Sequence, residues 1–157
     1  MPAQTKIEIK PADLEDPRVT HLLRSHAKRA IAETGRGSAH ALDLDAFRDP
    51  DIGLWTAWEG ETLLGIGAMK RLSATEGELK SFHTVEAARG RGIASKLVDH
   101  IVGVARTEGL VRLSLETGSW PYFAAARAFY ASKGFVVCGP FHHYIEDENS
   151  VFMTREI

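Results

Sequence analysis

Arg89-Gly90-Arg91-Gly92-Ile93-Ala94-Ser95 separates two segments of different periodicity. Before it, Glu78 to Val85 alternates as a strand does, which predicts that Glu78, Lys80, Phe82 and Thr84 share one face. After it, Ile93, Leu97, Ile101 and Val104 recur at helical spacing, with Ala94, Val98 and Ala105 widening the stripe and Gly109 suited to end it. A strand therefore passes through a glycine-rich loop into an amphipathic helix. The first N–H groups of a helix lack intrahelical partners, and the macrodipole leaves partial positive charge there. Glycines let such a loop adopt positive φ and approach a ligand closely. A pyrophosphate fits this geometry.

Other phosphate loops fit less well. A Walker loop needs Gly-Lys-Ser/Thr, which is absent. A dinucleotide fingerprint needs Gly or Ala where Ser95 stands, although Glu116 lies near the spacing of its ribose acid. That domain also begins with its glycine turn, whereas here several strands come first.

Downstream, Leu110 to Leu115 reads as a strand and Tyr122 to Ser132 as a helix opened by Ser119-Trp120-Pro121 and ended at Gly134. Phe135 to Cys138 and Val151 to Arg155 read as strands around a Pro140–Asn149 loop. Upstream, Thr5 to Ile9 is a first strand. Asp16-Pro17 starts a helix with the stripe Val19, Leu22, Leu23, His26, Ala30 and Ile31. Gly35 to Ser38 connects it to a second short helix, Leu42 to Phe47, capped by Asp43. Strands at Ile52–Glu59 and Leu63–Leu72 follow, with turns at Glu59–Thr62 and Glu76-Gly77. The sum is one α/β domain over residues 1–157, an antiparallel meander joined to a βαβ half.

Composition excludes some classes. A net charge of −2 provides no global basic field for a nucleic acid backbone. No apolar run nears the ~18 residues of a membrane span, and Met1 to Lys10 has no signal-peptide core, so a cytoplasmic location is expected. The lone Cys138 forms no internal disulfide, and His142-His143 has no companion CxxC or HxxxH, so no metal is expected.

Arg-x-x-Gly-x-Ala, at Arg89, Gly92 and Ala94, resembles the acyl-CoA motif of the GNAT N-acetyltransferase superfamily. Ala128-Phe129-Tyr130-Ala131-Ser132-Lys133-Gly134-Phe135 resembles that family's late helix, where a Tyr precedes Gly-Phe. Glu78 to Ser81, Leu115 to Gly118, Pro140 to Tyr144 and Phe152-Met153 look like stand-alone bacterial members of the YsnE type. The resemblance implies a GNAT fold: a mixed, mostly antiparallel sheet of six or seven strands with about four helices. It implies acetyl-CoA as donor and a small-molecule amine as acceptor, with a homodimer possible.

Residue by residue, the amides of Arg91, Gly92, Ile93, Ala94 and Ser95 would hold the pyrophosphate, with Gly90 shaping the loop and Arg89 among the cofactor-binding residues. The backbone of Phe82, His83 and Thr84 would pair with the pantetheine arm, where this strand splays from the next. Tyr130 matches the tyrosine that faces the departing thiolate. Phe123 stands where many members have a CoA-contacting Asn. Glu78 is the candidate base, or else a partner of Lys80. Glu116, His142 and Tyr144 are candidate acceptor ligands, with further walls expected around Arg24, His26 and His40 to Phe47. A catalytically silent acyl-CoA-binding sensor is the alternative of another class.

Overall fold

Asp16 caps the first helix as the sequence predicts: its Oδ1 accepts the Arg18 N–H at 2.9 Å, and Pro17 opens α1 (Pro17–Thr34). The computed structural model describes residues 6–34 and 44–157. The predicted Gly35–Ser38 connection and the cap Asp43 lie outside them. Leu44–Arg48 is a 3₁₀ turn, so the described residues hold three α-helices where about four were expected.

β1 (Ile7–Pro11) lies two residues beyond its predicted start, and β2 (Ile52–Glu59) falls where alternation puts it. Gly60, at φ +60°, turns β2 into β3 (Thr62–Arg71). The turn predicted at Glu76-Gly77 sits earlier. Ser73 Oγ accepts the N–H of Thr75 at 3.3 Å and of Glu76 at 3.1 Å, so β4 (Glu76–Thr84) has already begun at Glu76. Gly77 serves packing instead: a Cβ there would meet Leu110 Cδ1 at 3.0 Å and Leu113 Cδ2 at 3.1 Å. α2 (Ile93–Thr107), β5 (Arg112–Gly118), α3 (Ala124–Ser132), β6 (Val136–Cys138) and β7 (Ser150–Glu156) complete the order. The helix predicted from Tyr122 opens as a 3₁₀ turn at Pro121–Phe123, and β5 extends through Glu116 to Gly118.

The strands form one sheet in the order β1-β2-β3-β4-β5-β7-β6, antiparallel except between β4 and β5. This is the mixed, mostly antiparallel α/β sheet the sequence implies. α1 covers one face, where Val19, Leu22 and Leu23 pack on Leu54, Trp58, Ile66 and Ala68. α2 and α3 cover the other, where Val98, Ile101, Val102 and Ala105 meet Met69, Leu79, Leu113, Leu115, Phe135 and Met153, with Phe129 and Tyr130 against them. Burying a Leu or Ile fully contributes about 1.5–3 kcal/mol. The fully buried Leu97 and Ile101 thus fix which face α2 turns inward and, with it, where its N-terminus lies.

Two irregularities position the site. β4 and β5 pair only from Glu76↔Arg112 to Leu79↔Leu115, then part. β4 also bulges: Ile66 opposes His83 and Ala68 opposes Lys80, and Ser81 takes φ +56°. The extra residue flips the alternation. Lys80 and His83 face α1 with Glu78, because their partners Ala68 and Ile66 pack beneath α1. Phe82 and Thr84 face α2: Phe82 packs in the α2 clusters, and Thr84 opposes Gly65, where a Cβ would touch Ile93 and Leu97. The predicted single face for Glu78, Lys80, Phe82 and Thr84 is therefore split in two.

Candidate active site

The glycine loop forms as its residues dictate. Ala88 is buried and anchors the 3₁₀ turn Glu86–Ala88. Gly90 and Gly92 both sit at φ +79°, and a Cβ on either would meet nothing within 4 Å. Their space is open, so conformation and approach call for glycine there rather than crowding. Gly92 caps α2 without a side-chain cap, and its carbonyl accepts the Lys96 N–H at 3.0 Å. The N–H groups of Ile93, Ala94 and Ser95 precede that first turn and have no intrahelical acceptor. The Ile93 side chain is buried with Leu97 and Leu64, leaving only its backbone for a ligand. Arg89 is exposed. The Arg91 guanidinium is committed to Glu59 at the end of β2.

α3 is tied to this helix start by a residue that the sequence reading missed. Lys133 Nζ donates to Ser95 Oγ at 2.8 Å and pairs with Asp99 at 2.7 Å. Nothing in the local pattern around Lys133 signals a partner 38 residues away. One helical turn earlier stands Tyr130, its ring 6.3 Å from that of Phe82 in an edge contact. Gly67 makes room for that Phe82 ring, which a Cβ would approach to 2.8 Å. Burial pushes the Tyr130 hydroxyl well above the ordinary phenol range, so it stays protonated. It has no hydrogen-bond partner among the described residues. The Phe123 ring lies over Gly118, where it leaves no room for a Cβ.

The α1 face of the same gap is charged. Glu78, at 4% exposure, is one of few buried polar residues. The Tyr144 hydroxyl donates to its Oε2 at 2.6 Å, and Lys80 Nζ stands 3.9 Å from its Oε1. The base candidate and one acceptor-ligand candidate, 66 residues apart, are thus brought together. The alternative pairing with Lys80 is also present, as the longer contact. Tyr144 packs against Phe141 and Phe152, at ring distances of 5.0 and 5.5 Å. Burial first, then the carboxylates of Glu78 and Glu116, push its hydroxyl far above the usual range.

Glu116 is exposed and accepts the Ser150 hydroxyl at 2.8 Å. His142 is exposed and lies ring to ring with His143 at 3.9 Å, outside the Glu78 cluster. His83 stacks on His26 of α1 at 4.7 Å. Burial, then the charge of His83, pushes His26 down to about 4. Arg24 is exposed, and Leu44 and Phe47, partly buried, pack against the α1-side core. His40 to Asp43 lie outside the described residues.

Residues 19–135 match the acetyltransferase (GNAT) family, and the chain belongs to it. It is similar to the uncharacterized N-acetyltransferase YsnE of Bacillus subtilis, 42% identical over 151 residues, spanning 96% of this chain and 100% of that protein. It is equally similar to the uncharacterized N-acetyltransferase YedL of Escherichia coli, 42% identical over 146 residues, 93% of this chain and 92% of that one. Among solved structures, PaiA N-acetyltransferase from Thermoplasma acidophilum, in complex with coenzyme A, shares the fold with a TM-score of 0.75 at 16% identity, over 97% of this chain and 99% of that chain. The family resemblance drawn from the sequence is borne out. Among the described residues no helix is long and apolar enough to cross a membrane.

Proposed function

We propose that this protein moves an acetyl group from acetyl-CoA to an amine of a small molecule by direct attack on the thioester. The observation that carries the reading is the parting of β4 and β5 after Leu79 and Leu115. It opens a gap with a buried carboxylate, Glu78, on one face and the glycine loop with Tyr130 on the other.

The residues present fit the donor. Gly90 and Gly92 leave open space at helix-start amides that lack intrahelical acceptors, which suits a pyrophosphate held by Arg91 to Ser95. Among the described residues β4 has no strand partner on its β5 side beyond Leu79, so an extended arm can pair along Phe82, His83 and Thr84 as an added strand would. When bound, acetyl-CoA supplies a thioester carbonyl open to a nucleophile and a thiol as leaving group.

The chain's own residues then move protons. An alkyl ammonium has a reference pKa of about 10.4 and is no nucleophile until deprotonated. Glu78 takes that proton, directly or through one water. A backbone N–H of the splayed strand β4 stabilises developing negative charge on oxygen. Tyr130, held protonated by burial, donates to the departing sulfur. Glu116 adds a carboxylate that favours a cationic acceptor, and His142 lies in the turn that carries Tyr144.

Calorimetric titration with acetyl-CoA, followed by thiol release over a broad amine panel, tests the proposal. Micromolar binding with release is expected. No binding by the folded protein sinks the transferase reading. Binding without release over the whole panel leaves an acyl-CoA sensor.

A further inference from the structure

Among the described residues, two that are not glycine hold positive φ: Ser81 at +56° and His142 at +55°. A residue with a Cβ is disfavoured there, and such backbone persists where its surroundings enforce it, often at functional sites. These two flank a single hydrogen bond. Ser81 is the bulge that follows Glu78 on β4. His142 lies in the turn from Phe141 to Tyr144, closed by the Tyr144 N–H donating to the Phe141 carbonyl at 3.0 Å. Between them the Tyr144 hydroxyl reaches Glu78 Oε2 at 2.6 Å.

Packing aims that hydroxyl. The Tyr144 ring rests on Phe141 and on Phe152, a core residue of β7 at 3% exposure. Tyr144 therefore cannot swing away without breaking an aromatic cluster. Glu78 itself is nearly sealed, and its other oxygen, Oε1, stands 3.9 Å from Lys80 Nζ, beyond hydrogen-bond length. One carboxylate oxygen is thus occupied by a short bond, while the other has no hydrogen-bond donor among the described residues. Burial and the carboxylates of Glu78 and Glu116 keep the phenol protonated, so it remains a donor throughout.

We propose that Tyr144 is a positioning residue for Glu78, holding Oε2 so that Oε1 is the atom that takes the acceptor's proton. The inference rests on the acetyl-transfer reading above. In the step, a lone pair of Oε1 forms an O–H bond as one N–H bond of the acceptor ammonium breaks. The bonding pair stays on nitrogen as the nucleophilic lone pair, and the carboxylate becomes a neutral acid. Without the Tyr144 hydroxyl, the carboxylate is free to turn and close on Lys80, and Oε1 loses its aim.

Three variants test this: Tyr144→Phe, which keeps the ring and deletes the hydroxyl, Glu78→Gln, and the double variant. Three readouts apply: acetyl-CoA binding by calorimetry, thiol release from acetyl-CoA with a panel of primary amines, and carbon-13 spectra of the Cζ atoms of the three tyrosines. The expected result is a kcat about 10-fold to 100-fold lower in Tyr144→Phe at unchanged acetyl-CoA affinity, within the share a general base commands. The double variant should match Glu78→Gln alone, because Tyr144 acts through Glu78. Glu78→Gln should also move the one resonance that Tyr144→Phe deletes, leaving Tyr122 and Tyr130 in place. Wild-type kcat in Tyr144→Phe, losses that multiply in the double variant, or an unmoved resonance overturns this role alone. A folded wild type that binds no acetyl-CoA, or releases no thiol with any amine, overturns the transfer reading and this role with it.

Discussion

The two sides of the gap between β4 and β5 are built from different materials. The α2 side is backbone and rings: helix-start amides, Gly90 and Gly92, Phe82 and Tyr130. Two of its nearby cations are already spent, Arg91 on Glu59 and Lys133 on Asp99. The α1 side is side-chain charge: Glu78, Lys80 and Glu116, with the Tyr144 hydroxyl and the stacked His26 and His83. A constant donor is well served by backbone, which substitution leaves intact. An acceptor must be distinguished from other amines, and only side chains distinguish. The α2 side should therefore answer to changes in loop geometry, and the α1 side to changes in charge and pH.

The largest effect expected lies on the α2 side. Gly92→Glu should weaken acetyl-CoA binding at least ~100-fold, because a carboxylate then faces the pyrophosphate. Gly92→Ala is the companion measurement. Its Cβ meets nothing within 4 Å, so only the φ of +79° resists it, at about 1–2 kcal/mol. Calorimetry should show a loss of about 10-fold or less for Ala. Equal losses in both would mean that loop conformation alone, and not anion binding, sets affinity. Next in size, Glu78→Gln should lower kcat about 100-fold with acetyl-CoA affinity unchanged. A weakened donor affinity in that variant would erase the division between the two sides.

The same division explains what was legible in the sequence. The α2 side is local: Arg89 to Ser95 and the stripe from Ile93 onward lie in one stretch, so spacing alone exposes the loop, its two glycines and the helix. The α1 side is assembled across the chain. Glu78 and Tyr144 each stand out as candidates, yet nothing in either neighbourhood announces a bond between them. The bulge at Ser81 was illegible because Lys80-Ser81-Phe82-His83-Thr84 reads as plain alternation, while the extra residue shows only against the register of β3. Gly77 reads as a turn in the sequence because glycine marks both turns and tight packing; Ser73 makes the turn, and Leu110 and Leu113 require the glycine. Lys133 is illegible for a like reason, because its partners stand on a helix distant in sequence.

The α1 side should also be the acid-sensitive one. His26 titrates near 6.5 in an unfolded chain and is pushed down to about 4 in the fold. Between those values the unfolded chain binds the proton and the folded one does not, so stability falls as pH falls from 6.5 towards 4. The loss from pH 7 to pH 5 should be about 2 kcal/mol from this group. Urea midpoints at the two pH values measure it. His26→Phe keeps a ring over His83 and should flatten that part of the slope. An unchanged slope would place the acid sensitivity elsewhere.

Tyr130→Phe should give the smallest change, and one confined to catalysis. The ring contacts with Phe82, Phe129 and Phe135 survive the substitution. The lost hydroxyl has no partner among the described residues, so no buried group is left unsatisfied, and stability should stay within about 0.5 kcal/mol. In the proposed mechanism the hydroxyl meets its partner when the sulfur departs. Its loss should therefore appear in kcat, about 10-fold, and not in acetyl-CoA affinity or in the urea midpoint. A variant that folds less well would show that Tyr130 belongs to the core first. One that binds acetyl-CoA less well would show that the hydroxyl grips the donor before reaction. Unchanged kcat would leave the thiol to take its proton from water, and the α2 side would then hold the donor without performing any chemistry on it.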